Sequence, residues 1–373
     1  MKTLGLYVHI PFCKSKCYYC DFASYSGKDE LMALYIRALI KEADKYKDLS
    51  FDTIFIGGGT PSYLPENLLK QLCTLFKIID TSKVTEFTME VNPGTLSEEK
   101  MRIIKDIGVN RISFGLQSAN DDTLKKLGRI HSLDDFKKSF EIARKHDIDN
   151  INIDLIYNIP EEDIKASINS LKNIIEFQAE HISAYGLILE ENTVYMDLFN
   201  EGKLILKDED LELKEQEQIY DMLKCSGYVR YEISNFSKSG YLCKHNLKYW
   251  NLEEYIGIGS SSHSYFNGAR FNNVVLIDEY IKNIMEINSG REDYHKNSLN
   301  EDIEEFIILG LRKIEGISLI DFENKFEKNF FEIYREEFRK WNERGLILKD
   351  ENRIKFTAKG LDLSNIVLKD FLL

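Results

Sequence analysis

Short runs of mostly apolar and β-branched residues recur through the first half of the chain, each followed by a longer stretch with apolar positions three and four apart. Residues 4–10, 51–56, 86–91, 111–116, 151–156 and 181–187 are rich in Ile, Val, Phe and Tyr and are bounded by Gly, Pro or Asn. They read as buried strands. Residues 30–46, 65–79, 97–107, 133–146 and 162–177 carry the helical spacing between them. A tight turn cannot return a strand in the same direction, so crossovers this long make the strands parallel. The pattern predicts an α/β fold in which six β-α repeats curl into a partial barrel, a (β/α)6 unit with its ligands at the carboxyl ends of the strands. All five prolines fall at or before residue 160, mostly at strand-to-helix junctions, where they stop one element before the next.

The spacing changes towards the end of the chain. Residues 303–313, 319–327 and 331–344 are helical in pattern, and 346–349 with 353–356 read as a β-hairpin around Asp350-Glu351-Asn352. Helices followed by a hairpin predict a small winged-helix-like domain. The expected division is a barrel over residues 1–200, an extension over 201–292 and this module over 293–373. From Asp293 onward there are 14 basic and 17 acidic residues, so composition gives no basic face for DNA. The module reads as a lid or docking unit.

With 373 residues the chain exceeds one average domain, and 49 basic against 62 acidic residues leave a net charge of −13. That charge argues against a nucleic-acid partner and against a polybasic membrane patch. No basic-plus-apolar leader precedes Leu4 and no apolar run reaches about 18 residues, which predicts a cytoplasmic protein without stable membrane insertion. In that reducing compartment Cys73, Cys225 and Cys243 are expected as free thiols.

The chemistry is announced just after the first strand. Cys13, Cys17 and Cys20 are spaced C-x3-C-x2-C, which supplies three thiolates. An iron–sulfur cube normally takes four cysteines, so three leave one iron open to something that is not protein. A zinc knot using the same thiols and His9 is the alternative. Zinc sites, however, usually pair their cysteines in two separate knuckles, and no second pair is present. The spacing, with Tyr19 before the last cysteine, resembles the cluster loop of the radical S-adenosylmethionine (SAM) superfamily. That resemblance implies a [4Fe-4S] cluster whose open iron is chelated by SAM, with an unidentified electron donor.

Further motifs sit at successive strand ends. Gly57-Gly58-Gly59-Thr60-Pro61-Ser62 follows the second strand and resembles the superfamily's glycine motif, which implies SAM contacts for Gly58, Gly59 and Thr60. Glu90, in Met89-Glu90-Val91-Asn92-Pro93, is a carboxylate suited to accept hydrogen bonds from a ribose. Phe114-Gly115-Leu116-Gln117-Ser118, Leu127-Gly128-Arg129-Ile130-His131 and Ile153-Asp154-Leu155-Ile156-Tyr157 complete a set similar to the oxygen-independent coproporphyrinogen III oxidase (HemN) and its relatives over roughly residues 4–270. The likeness implies that Tyr7, Gln117, Arg129 and Asp154 line the SAM pocket, Arg129 being able to hold a carboxylate with two parallel bonds. Within Tyr157-Asn158-Ile159-Pro160-Glu161-Glu162, Asn and Glu stand where relatives often have Gly and Gly-Gln.

Two features point away from the oxidase. The oxidase usually has a fourth cysteine two residues past the last ligand and an N-terminal extension, whereas here that position is Phe22 and twelve residues precede Cys13. Tyr231-Glu232-Ile233-Ser234-Asn235-Phe236 and His245-Asn246-Leu247-Lys248-Tyr249-Trp250 reproduce the H-N-x-x-Y-W pattern of the HemW heme chaperones, continued by Tyr255-Ile256-Gly257-Ile258-Gly259 and His263. This similarity implies heme as a cargo and a heme-acceptor protein as a partner, with His245 as the leading heme contact and Cys243 as a second. Tyr249 and Trp250 are able to stack on a porphyrin face. A histidine beside two aromatics serves equally well as a packed core residue. Two functions therefore remain open: heme carriage, or radical decarboxylation of coproporphyrinogen.

Overall fold

The computed structural model describes residues 3–373, and the expected β-α repeats form its larger part. Strands β1 (Leu4–Ile10), β2 (Phe51–Gly58), β3 (Glu86–Val91), β4 (Arg111–Gln117), β5 (Asn150–Tyr157) and β6 (His181–Gly186) are parallel neighbours in chain order. They run one or two residues past several predicted ends, because β2, β4 and β5 continue into the glycine segment, Gln117 and Tyr157.

Alternate residues of these strands face opposite sides. Ile54, Ile56, Met89, Ile112, Phe114, Ile153 and Leu155 lie in the apolar core beneath the crossover helices. The other parity carries Thr53, Thr88, Glu90, Ser113, Asn152, Asp154 and His181, together with the aromatics Tyr7 and Phe55. The lumen is thus a hydrogen-bonded interior, unlike the aliphatic layers of a closed barrel.

The helices Met32–Ala43, Glu98–Ile107, Leu133–Lys145 and Ile164–Glu176 match their predicted spans closely. Ser97 caps the second of these through Lys100 N, and Ser132 with Asp135 forms a capping box on the third. The segment expected as one helix over 65–79 is two pieces, Glu66–Leu72 and Leu75–Ile78, divided at Cys73 and Thr74.

The extension is more strand-rich than its sequence suggests. β7 (Val229–Arg230) and β8 (Asn235–Ser237) cover the β6 edge antiparallel, and β9 (Tyr255–Ile258) pairs parallel with β1. β10 (His263–Phe266), β11 (Ala269–Asn273) and β12 (Arg291–Lys296) then extend that side, giving a twelve-stranded sheet. β12 reads Arg-Glu-Asp-Tyr-His-Lys and is exposed throughout, a charged edge that resists pairing with another chain. The division expected at Asp293 therefore falls inside a strand of the large sheet, and the next element is the helix Leu299–Gly310.

That helix, together with Leu319–Phe326 and Arg335–Glu343, packs against a small sheet of β13 (Ile317–Ser318), β14 (Ile347–Asp350) and β15 (Arg353–Phe356) in the order β13-β15-β14. Its aromatic core, including Phe306, Phe322, Phe330 and Trp341, is continuous with Leu252 and Tyr265 of the barrel extension. Arg270 holds Glu305 through Nε and Nη2, and Tyr265 donates to Asp302 at 2.8 Å. The module is seated on the extension, beside the end of the barrel opposite the cysteine loop.

Candidate functional site

The cysteine loop leaves β1 at Pro11 and is fastened on both sides. Cys13 N donates to Tyr25 O at 2.9 Å, Tyr25 N to Pro11 O at 2.7 Å, and Tyr18 N to Leu127 O at 3.0 Å. Phe12 is fully buried edge-on against Tyr35 and anchors the loop from below. All three thiols are free and half-buried, and they line one cavity at the carboxyl ends of the strands. Burial raises the Cys13 and Cys20 thiols, so a metal must displace their protons on binding.

Among the described residues no three His, Cys, Asp or Glu side chains converge tightly enough to hold a single metal ion. A cube asks for something else, since each cysteine serves a different iron of the cluster. His9, the fourth ligand of the zinc alternative, is engaged elsewhere: Nδ1 meets Tyr7 Oη at 2.9 Å and Nε2 meets Ala23 O at 2.8 Å. Burial lowers its pKa to about 4, leaving a neutral ring that spaces the loop from the barrel.

With the thiols, the cavity wall brings together Tyr19 of the loop, Gly58, Gly59, Thr60, Glu90, Gln117 and Asp154 from four successive strands, and Arg129 from the turn after the helix Asp121–Lys126. The two glycines are required by the fold itself. A Cβ on Gly58, whose φ is +110°, would lie 2.4 Å from the His9 ring, and one on Gly59 would meet the Phe12 backbone at 2.8 Å. Gly59 N and Thr60 N donate to Ile10 O and Phe12 O, each at 2.8 Å, so the glycine segment also holds the cysteine loop.

Gln117 sits at φ +73° where the β4–β5 register slips, an unusual conformation for a side-chain-bearing residue. Its Oε1 accepts from Tyr185 at 2.9 Å. Arg129 donates through Nη1 to Asn92 Oδ1 at 3.2 Å and lies over the Tyr19 ring, while its buried Nε has no partner. Arg129 lines the cavity and a guanidinium suits a ligand carboxylate, so the donor set fits both the cluster and SAM.

Two acids, Glu90 and Asp154, line this cavity. Burial, with the Asp154 charge second, pushes the Glu90 carboxyl up to about 8, and Gly58 N donates to it at 3.1 Å. Burial also raises Asp154. The fold therefore binds a proton on Glu90 more tightly than the unfolded chain does. That contribution to stability is complete below the ordinary value of 4.5 and is lost as pH rises through about 8. A ribose or a cationic ligand favours the ionised form, so SAM affinity is expected to rise with pH up to about 8, by at most tenfold per unit. Titration calorimetry across that range should show the slope, and Glu90→Gln should flatten it.

Other residues appear where sequence reading did not place them. Tyr7 lies deeper in the barrel than the cavity wall, its hydroxyl on His9. Asn92, Ser113 and Tyr185 were not anticipated and do line the cavity. Asn92 binds Thr60 Oγ1 at 2.8 Å as well as Arg129, and its place just before Pro93 at a strand end was the available signal. In the loop after β5, Asn158 and Glu161 have φ of +55° and +58°, the left-handed conformation that explains why glycine is the easier residue there.

His245 is at the other end of the molecule. The helix Lys244–Trp250 plugs the amino-terminal mouth of the barrel, with Glu86 at its start accepting from Lys244 N at 2.8 Å and His245 N at 2.9 Å. The His245 ring is 1% exposed, stacked on Phe55, and bonded at both nitrogens, to Thr53 Oγ1 at 2.9 Å and Tyr249 Oη at 2.8 Å. Burial lowers its pKa to about 3. In this arrangement the ring is a core histidine with no nitrogen free for iron, which departs from its expected role as the leading heme contact. Cys243, the second expected contact, is likewise buried. On the outer side, the Arg312 guanidinium lies 5.0 Å from the Trp250 ring and Lys313 donates to Asn251 at 2.6 Å, so the C-terminal module covers the motif helix.

A three-cysteine loop at the carboxyl mouth of a six-stranded parallel half-barrel defines a radical SAM protein, and the Radical SAM superfamily profile matches residues 7–171. The HemN C-terminal domain profile matches residues 297–363. The chain is 38% identical over 372 residues to the heme chaperone HemW of Bacillus subtilis, covering 98% of each protein. It is 40% identical to that of Lactococcus lactis, covering 100% of this chain and 98% of the relative. The chain belongs to the HemW family. Among solved structures, the coproporphyrinogen III oxidase HemN from Escherichia coli superposes with a TM-score of 0.87 at 21% identity, covering 100% of this chain and 90% of that one, which establishes the shared fold.

Proposed function

We propose that this chain is a cytoplasmic heme carrier that binds heme and passes it to an acceptor protein, with a [4Fe-4S] cluster on Cys13, Cys17 and Cys20 and SAM seated against it. The observation that carries the cofactor part is the meeting, in one cavity, of three free thiols with Arg129, Glu90, Gln117 and Asp154. SAM supplies a sulfonium that an electron from the cluster can cleave. The chain's own residues do the holding: Arg129 for the carboxylate, Glu90 and Asp154 for the ribose and the positive charge, Gln117 with Tyr185 for the adenine side. The cargo part is supported by the H-N-x-x-Y-W helix and by the name of the relatives, which are heme chaperones. Among the described residues no helix is long and apolar enough to cross a membrane.

Anaerobically reconstituted protein is expected to take up heme stoichiometrically and to give no useful yield of protoporphyrinogen from coproporphyrinogen. Rapid formation of that product would establish decarboxylation in place of carriage. Heme uptake unchanged in His245→Ala would place the iron ligand elsewhere; reduced uptake, with the variant's fold verified, would mean that the motif helix rearranges to expose the ring.

A further inference from the structure

The two ends of the barrel are joined by an unbroken line of hydrogen bonds that no step above uses. Asp154 Oδ1, in the cofactor cavity, accepts from Asn152 Nδ2 at 2.7 Å, and Asn152 Oδ1 pairs with His181 Nδ1 at 2.6 Å. His181 Nε2 lies 2.8 Å from Tyr231 Oη, which accepts from Cys243 N at 3.3 Å. Cys243 is the residue from which the motif helix Lys244–Trp250 starts. Burial keeps His181 neutral, so it donates through Nδ1 and accepts through Nε2 from the tyrosine hydroxyl. Every donor in the line then points towards Asp154. Hydrogen bonds of one sense polarise each other, and in a dry interior a change at one end is felt along the line.

The middle of the line is shut off from solvent. Asn152 and His181 are 2% and 0% exposed. Asn152 is also held by Ser113 at 2.8 Å and Ser183 at 3.1 Å, both in the lumen. Arg111, 2% exposed with an unpartnered Nε, adds a buried positive charge near Glu86 and Asp154. We infer that Asn152, His181 and Tyr231 are positioning residues that tie occupancy of the cavity at Asp154 to the seat of the motif helix, so that cofactor binding at one mouth of the barrel and the state of the plug at the other are linked. The inference rests on the reading of that cavity as the SAM site. Linkage is reciprocal, so anything that shifts the helix must alter SAM affinity by the same factor.

Hydrogen exchange read by mass spectrometry on cluster-loaded full-length protein tests this without heme. SAM binding, measured separately by equilibrium dialysis, is expected to change exchange of the Lys244–Trp250 amides by about fivefold or more, the lower end of ordinary coupling. Tyr231→Phe, which removes one hydroxyl and keeps the ring, is expected to bind SAM and lose that response. Tyr228→Phe should keep it; the Tyr228 hydroxyl, bonded to Ala179 O at 2.6 Å, lies off the line. SAM bound with no change at the helix in the unmodified protein would overturn the inference while leaving the pocket reading intact. So would a response preserved in Tyr231→Phe. No SAM bound at all would overturn both, and the unmodified protein decides the matter even if Tyr231→Phe does not fold.

Discussion

Cys17→Ser is expected to leave the anaerobically reconstituted protein with almost no iron or sulfide, while its melting transition stays close to that of the metal-free parent. The loop keeps its course without metal through the Cys13–Tyr25, Tyr18–Leu127 and Tyr195–Tyr18 backbone bonds, none of which needs the sulfur. The cube has no such reserve. With Cys13, Cys17 and Cys20 as its proposed ligands, loss of one would leave a second iron uncoordinated by the chain. Iron and sulfide assay with circular dichroism checks the result; full cluster content in the variant would mean that another group ligates the metal.

Arg129→Met is expected to retain the cluster and to weaken SAM by about 2–5 kcal/mol, the range for removing one partner of a buried charged pair. Methionine keeps most of the volume beside Tyr19, so packing over the loop survives, but the unpartnered Nε donor is gone. Asn92 Oδ1 loses its bond to Nη1 as well. Equilibrium dialysis should show the loss in affinity at unchanged iron content. An unchanged dissociation constant would show that the SAM carboxylate is held elsewhere.

Much of this site was legible in the sequence because its determinants are local. The cysteine spacing fits within one loop, and Glu90, Gln117 and Asp154 stand in the carboxyl-terminal halves of strands whose period and boundaries are plain, so a parallel barrel brings them together. Residues that act through distant partners were not legible. His181 and Tyr231 are 50 positions apart and look like an ordinary strand start and loop residue until β8 folds back beside β6. The edge strand β12 has no apolar alternation, so nothing marked Asp293 as part of the sheet. The H-N-x-x-Y-W residues announced a special helix, but which end of the barrel it closes is decided by Glu86, more than 150 residues earlier. Sequence neighbours alone also gave no sign that Thr53 and Tyr249 take both His245 nitrogens.

Whether SAM sits on an open iron of a cluster is read out by electron paramagnetic resonance of the reduced, oxygen-free protein, recorded before and after addition of SAM. The expected result is the signal of a reduced [4Fe-4S] cube whose g values move when SAM occupies the iron that no cysteine holds. A protein with no such signal, or with one that SAM leaves unmoved, would contradict it.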